Sequence, residues 1–182
     1  EYHCRMLAER LVNDYDVEVL TTCVKNYVTG DNEYPEGEEI LNGVLVRRFY
    51  SDPVEPDLHK SYVRQAAPAK KWRHFLYRCR LLKPLSYVKP MYAFIRENKA
   101  SYRAFIPLSF FPHTYYTALY APEKTILIPT MHNNGSSFRS IITSVFSEVA
   151  YIGFNIEAEQ KLVENIVGKP LAAHGIISVG IE

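Results

Sequence analysis

Cysteine is scarce here and poorly spaced for chemistry. The 182 residues contain three, Cys4, Cys23 and Cys79, and none forms a Cys-x-x-Cys pair. An odd number rules out a fully paired disulfide framework, and no zinc-type or thioredoxin-type spacing is present. A reducing compartment fits this usage, with the thiols read as small buried apolar groups. Net charge is also nearly absent. Lys+Arg total 21 against 20 Asp+Glu, a balance of +1, which excludes bulk electrostatic attraction to nucleic acid. No apolar run reaches the roughly 18 residues of a membrane span, and no signal peptide is visible. Internal repeats and low-complexity tracts are missing too. There is no initiating Met, and the chain opens directly on a helical pattern, so the expectation is an excised piece of a longer protein.

What remains is an ordinary globular composition, 47% apolar and 23% charged, with length enough for one sizeable core. Fourteen tyrosines and nine phenylalanines suit a core as well as a cleft. Cys4, Leu7, Ala8 and Leu11 recur at helical spacing, predicting an amphipathic helix over 2–13. Residues 17–22 form a nearly continuous β-branched and apolar run, the mark of a strand buried in a parallel sheet. Residues 25–43 read as a turn-rich, solvated acidic loop (Asp31, Glu33, Glu36, Glu38, Glu39). Metal binding is the alternative there, although no histidine joins the cluster. Asn42-Gly43 before Val44, Val46 and Phe49 predicts a hairpin turn into the next strand.

Pro53, Pro56 and Pro68 mark an irregular connection. After it, Trp72, Phe75, Leu76 and Cys79 make one helical stripe flanked by Lys70, Lys71, Arg73, Arg78 and Arg80. No acidic residue lies between Lys60 and Lys83. Two readings stand: a helix packed on a sheet with a solvated basic face, or a basic surface for an anionic membrane or a phosphorylated acceptor. Nucleic acid is disfavoured, because no binding motif accompanies the charge.

Beyond it, Val88, Met91, Tyr92 and Ile95 predict a helix ending near Asn98. A strand over 102–108 is interrupted by Pro107, and a helix begins at Pro112. Residues 124–129 predict the next strand and 136–147 the next helix. Residues 149–154 predict another strand, with Asn155 as N-cap of a helix carrying Ala158, Leu162, Val163 and Ile166. Gly168 and Pro170 stop that helix, and residues 176–181 form a last short strand. Such alternation implies a largely parallel sheet between helices, an α/β fold of Rossmann-like three-layer form.

The stretch Ile126-Leu-Ile-Pro-Thr-Met-His132-Asn133-Asn134-Gly135-Ser136-Ser137-Phe138 organises the rest. A buried strand stops at Pro129, a polar turn follows, and helical spacing starts at Phe138. In open α/β sheets ligands bind where such strands end. His132 is the candidate catalytic residue. Asn133, Asn134, Gly135 and Ser136 could offer N–H and hydroxyl groups to a ligand, and capping the next helix explains them equally well. His3 is a further candidate ligand contact, or a plain surface histidine on its helix.

The order of segments resembles family 4 retaining glycosyltransferases of the GT-B fold. The resemblance rests on Glu1-x-His3 leading into Leu7-Ala8-Glu9-Arg10-Leu11, then Val17-Glu18-Val19-Leu20-Thr21-Thr22, then Asn42-Gly43-Val44-x-Val46-x-Arg48. It continues with Pro129-Thr130-Met131-His132 and with Tyr151-Ile152-Gly153-Phe154-Asn155 followed by Glu157 and Glu159. Val179-Gly180-Ile181 is similar to the approach to that family's interdomain hinge. It covers nearly the whole chain, 1–182, as a single acceptor-side domain whose donor-binding carboxy-terminal partner and first strand are missing. Asn133 stands where the family often has Asp. Residues 102–108 lack the family's Asp-x-(Val/Ile)-x-x-His pattern, and His113 comes too late to replace that histidine.

The resemblance implies transfer of a sugar from a nucleotide-sugar donor to a glycan or lipid-linked acceptor, with retention. It implies a nucleotide-sugar as co-substrate, no further cofactor, a strand-end histidine near the donor sugar, and a cytoplasmic enzyme working at the inner face of a membrane. Alone, this half should be inactive. The missing strand implies a gap, an exposed sheet edge, or homodimerisation by strand exchange through that edge. The competing reading is a non-catalytic Rossmann-like module that binds sugars, anions or a membrane surface.

Overall fold

A computed structural model describes residues 2–26, 30–52, 88–109, 112–133 and 145–178. The chain divides into two compact units, residues 1–54 with 88–93 and residues 55–87 with 94–182. The fold is mixed α/β, with two three-stranded sheets, one of them wholly parallel.

In the first unit, α1 (Tyr2–Leu11) precedes β1 (Glu18–Thr22), β2 (Gly37–Leu41) and β3 (Val44–Phe49). Helix α1 follows its predicted stripe. Ala8 is buried while Cys4, Leu7 and Leu11 are half-buried. It closes where expected, with the Asn13 side chain donating to Arg10 O and Tyr15 N–H to Leu11 O. The sheet order is β1-β3-β2. Strands β1 and β3 run parallel, with Val19 opposite Val46, and β2 and β3 form an antiparallel hairpin, with Ile40 opposite Leu45. The Asn42-Gly43 turn behaves as its sequence demands. Asn42 (φ 50) and Gly43 (φ 82) both take the left-handed conformation that two-residue hairpins require. The Asn42 amide also reaches back 2.6 Å to Glu9 Oε1, tying the turn to α1.

Two expectations fail here. Strand β1 is half-buried at every position rather than buried, because among the described strands it has a neighbour on one side only. And β2 lies inside the stretch read as acidic loop. Glu38 and Glu39 have poor strand propensity, but cross-strand charge pairs override it. Arg47 bridges Glu18 and Glu38 on one face, while Arg48 pairs with Glu39 and lies 4.9 Å over the Tyr34 ring on the other. Those carboxylates are thus engaged with arginines. The core of this unit is Val44, Val46, Phe49 and Cys23. Burial pushes the Cys23 thiol pKa up, which suits an inert apolar role.

Helix α2 (Lys89–Asn98) buries Met91, Tyr92 and Ile95 along its predicted stripe, with Val88 buried just before it. Each such side chain contributes about 1.5–3 kcal/mol of burial. The second unit takes up the chain from residue 94. A 3-10 turn (Lys99–Ser101) ends α2, and the Lys124 ammonium donates to Lys99 O at 2.8 Å, which also accepts the Tyr102 N–H, and to Tyr102 O at 2.6 Å, so it fastens the end of the turn.

Residues 102–108 do not form the expected full strand. They pair in parallel with the next strand only at Phe105–Thr125 and Leu108–Ile128, since Pro107 offers no N–H to the ladder. Helix α3 (Pro112–Tyr120) begins where predicted. Then β4 (Ile126–Leu127), β5 (Tyr151–Phe154) and β6 (His174–Ile176) form a parallel sheet in that order. Strand β6 starts two residues before its predicted place. Helix α4 (Glu157–Val167) ends on Gly168 in the left-handed conformation (φ 59), as Gly168 and Pro170 foretold. Its buried face is not quite the predicted one. Val163 is buried and Leu162 and Ile166 are half-buried, but Ala158 is exposed and Glu159 takes the inward place. The core of this unit gathers Ile95, Tyr116, Leu127, Phe146, Ile152, Phe154 and Val163, all 2% exposed or less. Among the described residues no helix is long and apolar enough to cross a membrane.

Candidate functional site at the strand ends

Three extended segments of the second unit run parallel and end side by side: residues 105–108, β4 with Ile128, and β5. Their carboxyl ends each carry an irregular polar feature. Residues 105–108 lead into Ser109, whose backbone is left-handed (φ 77). Its carbonyl accepts the Thr114 hydroxyl at 2.6 Å, and its N–H donates to Ile128 O at 2.8 Å. The β4 segment leads through the buried Pro129 into Thr130, also left-handed (φ 47). A β-branched residue is rare in that region and costs about 1–3 kcal/mol there. Met131 follows, 5% exposed, and then His132 and Asn133, both exposed. Strand β5 leads into Asn155.

One buried side chain ties two of these ends together. Glu159, 6% exposed, accepts the Met131 N–H at 2.6 Å through Oε1. Through Oε2 it accepts the Asn155 N–H at 2.8 Å and the Asn155 side-chain amide at 3.1 Å. The arrangement resembles a capping box displaced by one residue. The N-cap of α4 is Ile156, extended (φ −146, ψ 158) and with no side-chain cap, not Asn155 as predicted. Asn155 sits one position earlier because Glu159, in the third helical position, reaches back to it. The positive end of α4 favours a carboxylate in its first turn, so this helix N-terminus is occupied by the chain's own anion. The Asn155 Oδ1 is buried and has no hydrogen-bond partner among the described residues.

No family model, curated protein or solved structure matches this chain.

Of the residues singled out from the sequence, His132 and Asn133 lie together, exposed, in the irregular segment that follows β4 and Ile128. His3 is half-buried on α1, in the first unit. Asn134, Gly135 and Ser136 lie outside the described residues, as do the basic positions Lys70, Lys71, Arg73, Arg78 and Arg80 and most of the helix predicted over 136–147. Its last residues, Val145–Ser147, form a 3-10 turn. Among the described residues no three His, Cys, Asp or Glu side chains gather as they would around a metal ion.

The sequence motifs include Glu159 and Thr130 but do not reveal the inward role of the first or the left-handed turn at the second. The signal for the first was present: an Asn and a Glu four residues apart at a strand-to-helix junction, with the Glu on the face that spacing turns inward. The signal for the second was not, because Thr is among the residues least expected at positive φ. His113, in the first turn of α3, keeps part of its surface exposed, but protein atoms pack around its ring. That desolvation lowers its imidazole pKa to about 4, so it is neutral at physiological pH.

Proposed function

We propose that this chain is the acceptor-side half of a retaining, GT-B-type glycosyltransferase. In this reading it is a Rossmann-like layer that presents His132 and its polar turn to the sugar and diphosphate of a nucleotide-sugar donor. The acceptor is a glycan or a lipid-linked glycan. A second, donor-binding half completes the site, and the basic residues of the sequence over 60–83, which lie outside the described residues, would supply charge for an anionic membrane face in the cytoplasm. The observation that carries the reading is the exposed His132 at the carboxyl end of a parallel strand, on a backbone pinned by a buried carboxylate. The order of sequence segments gives independent support.

The chemistry follows from charge. As the glycosidic bond to the diphosphate breaks, the sugar ring gains positive character and the leaving oxygen negative character. His132 can donate a hydrogen bond to a phosphate oxygen or sugar hydroxyl, or accept one, according to tautomer. The N-terminus of α4 is already neutralised by Glu159, so the work of meeting the diphosphate falls to the turn after β4 and to the other half of the enzyme. Asn133 offers an amide where an Asp would repel the diphosphate.

The test is a titration of this chain with UDP-glucose and GDP-mannose, read by the NMR signals of His132 and Asn133. Saturable shifts at the strand-end residues are expected, and His132→Ala should weaken binding by about ten-fold, the worth of one hydrogen bond to a charged group. No response at these residues to either donor would overturn the assignment. Sugar transfer by the chain alone, with no added partner, would overturn the requirement for a second half.

A further inference from the structure

Glu159 is an expensive residue to bury. It forms no ion pair among the described residues, and its charge is met by N–H dipoles alone. A carboxylate in that position costs more than an apolar side chain of similar size unless something else is gained. All three of its donors stand at the carboxyl ends of neighbouring parallel strands, one after β4 and two after β5. The one after β4 belongs to Met131, between the strained Thr130 and the exposed His132.

We propose that Glu159 is the positioning residue for His132. Its Oε1 clamps the Met131 N–H, holds Thr130 in the left-handed conformation, and so fixes the direction in which the imidazole leaves the strand end. The proposal rests on the glycosyltransferase reading for what His132 contacts, but the clamp itself can be tested without any ligand. A strained residue keeps its conformation only where the surroundings over-determine it, and the Met131 hydrogen bond is the restraint closest to Thr130. The division of labour between the two oxygens matters. Oε2 anchors Glu159 to β5 through Asn155, so the side chain is itself immobile and can transmit the position of one strand end to the other. Positioning groups of this kind raise activity by fixing orientation rather than by touching the reacting atoms.

Glu159→Gln keeps the shape and removes one acceptor. The amide then turns an N–H toward one of the donors that the carboxylate satisfied. In the wild-type chain the Met131 amide should exchange with solvent on the order of a hundred-fold more slowly than an open amide. In E159Q that protection should fall by about ten-fold or more. The order parameter of His132 should drop from about 0.85 toward about 0.6, and the UDP-glucose midpoint should rise about ten-fold. A merely structural role would lower the melting temperature and leave the His132 order parameter unchanged well below it. Unprotected exchange of Met131 in the wild type, a measurement that needs no variant, overturns the clamp. So does an E159Q chain with wild-type order at His132. If Met131 protection and His132 order fall in E159Q while UDP-glucose and GDP-mannose move no strand-end signal in either protein, the clamp stands and the glycosyltransferase reading falls.

Discussion

Adding a single methyl group at Gly153 should destabilise this protein, and removing Ile177 should make the same methyl harmless. Gly153 lies in β5, opposite Gly175 of β6. A Cβ built on it stands 2.8 Å from Ile177 Cδ1, 3.0 Å from Cγ2 and 3.2 Å from Cγ1. Distances this short force the neighbour to move, and overpacking of this kind costs about 1–3 kcal/mol. Against that, Ala in a strand recovers about 0.5–1 kcal/mol of backbone entropy relative to Gly. The net for Gly153→Ala is a loss of about 0.5–2 kcal/mol. All three crowding atoms vanish in Ile177→Ala. Ile177 is 45% exposed, so that change alone costs only about 1 kcal/mol, the low end for a truncated Ile. In the Ile177→Ala background the clash is gone and Gly153→Ala becomes stabilising by about 0.5 kcal/mol. The coupling between the two sites is therefore about 1–2.5 kcal/mol, within the range expected of residues in contact. Urea unfolding of the four proteins reads it directly. With a slope of about 2 kcal/mol per molar, each kcal/mol moves the midpoint by about 0.5 M. Equal costs of Gly153→Ala in both backgrounds would refute the reasoning.

The partly desolvated His113 should give the protein an acid-sensitive limb. Its folded pKa of about 4 lies below the unfolded 6.5, so between those values the unfolded chain takes up a proton that the folded chain refuses. Stability is then intact above pH 6.5 and falls as pH drops, by about 2 kcal/mol at pH 5. His113→Asn should flatten that limb in urea titrations at pH 7 and pH 5, and parallel profiles for the two proteins would contradict it. Gly43→Ala meets nothing within 4 Å but must hold φ 82. It should therefore cost about 1–2 kcal/mol through backbone strain alone, seen as a lower melting temperature with unchanged slope. Thr130→Gly should relieve the left-handed turn (φ 47) and stabilise the chain by up to about 1 kcal/mol, after the extra entropy of glycine is counted. A loss of stability on thermal unfolding would mean that the turn is not strained.

Features governed by local rules were legible. The Asn42-Gly43 turn, the stripe of α2, the Gly168 stop and the alternation of strand and helix in the second unit all follow from short-range preferences that nothing in the tertiary structure opposes. The miss at β2 has the opposite cause. A run of Gly, Glu and Glu has no intrinsic taste for a strand, and only Arg47 and Arg48 on the partner strand make it one. Those partners are obvious once the hairpin register is known and invisible before. The shortened pairing at residues 105–108 was half legible, since Pro107 announced a broken ladder but not which bonds would survive. At the candidate site, the exposure of His132 followed from its place after a buried strand. Its support did not, because the link from Met131 to Glu159 spans 28 residues and no periodicity within either segment encodes it.

The hairpin has one further consequence. Every residue of β2 is exposed, Ile40 at 66% and Leu41 at 44%, and among the described residues the sheet stops there. Such a rim is a template on which another extended chain could grow. Glu38 and Glu39 are therefore more than salt-bridge partners. Charges on an exposed edge oppose pairing with a second copy, and exchanging both for alkyl side chains should make the chain more prone to aggregate, as light scattering would read.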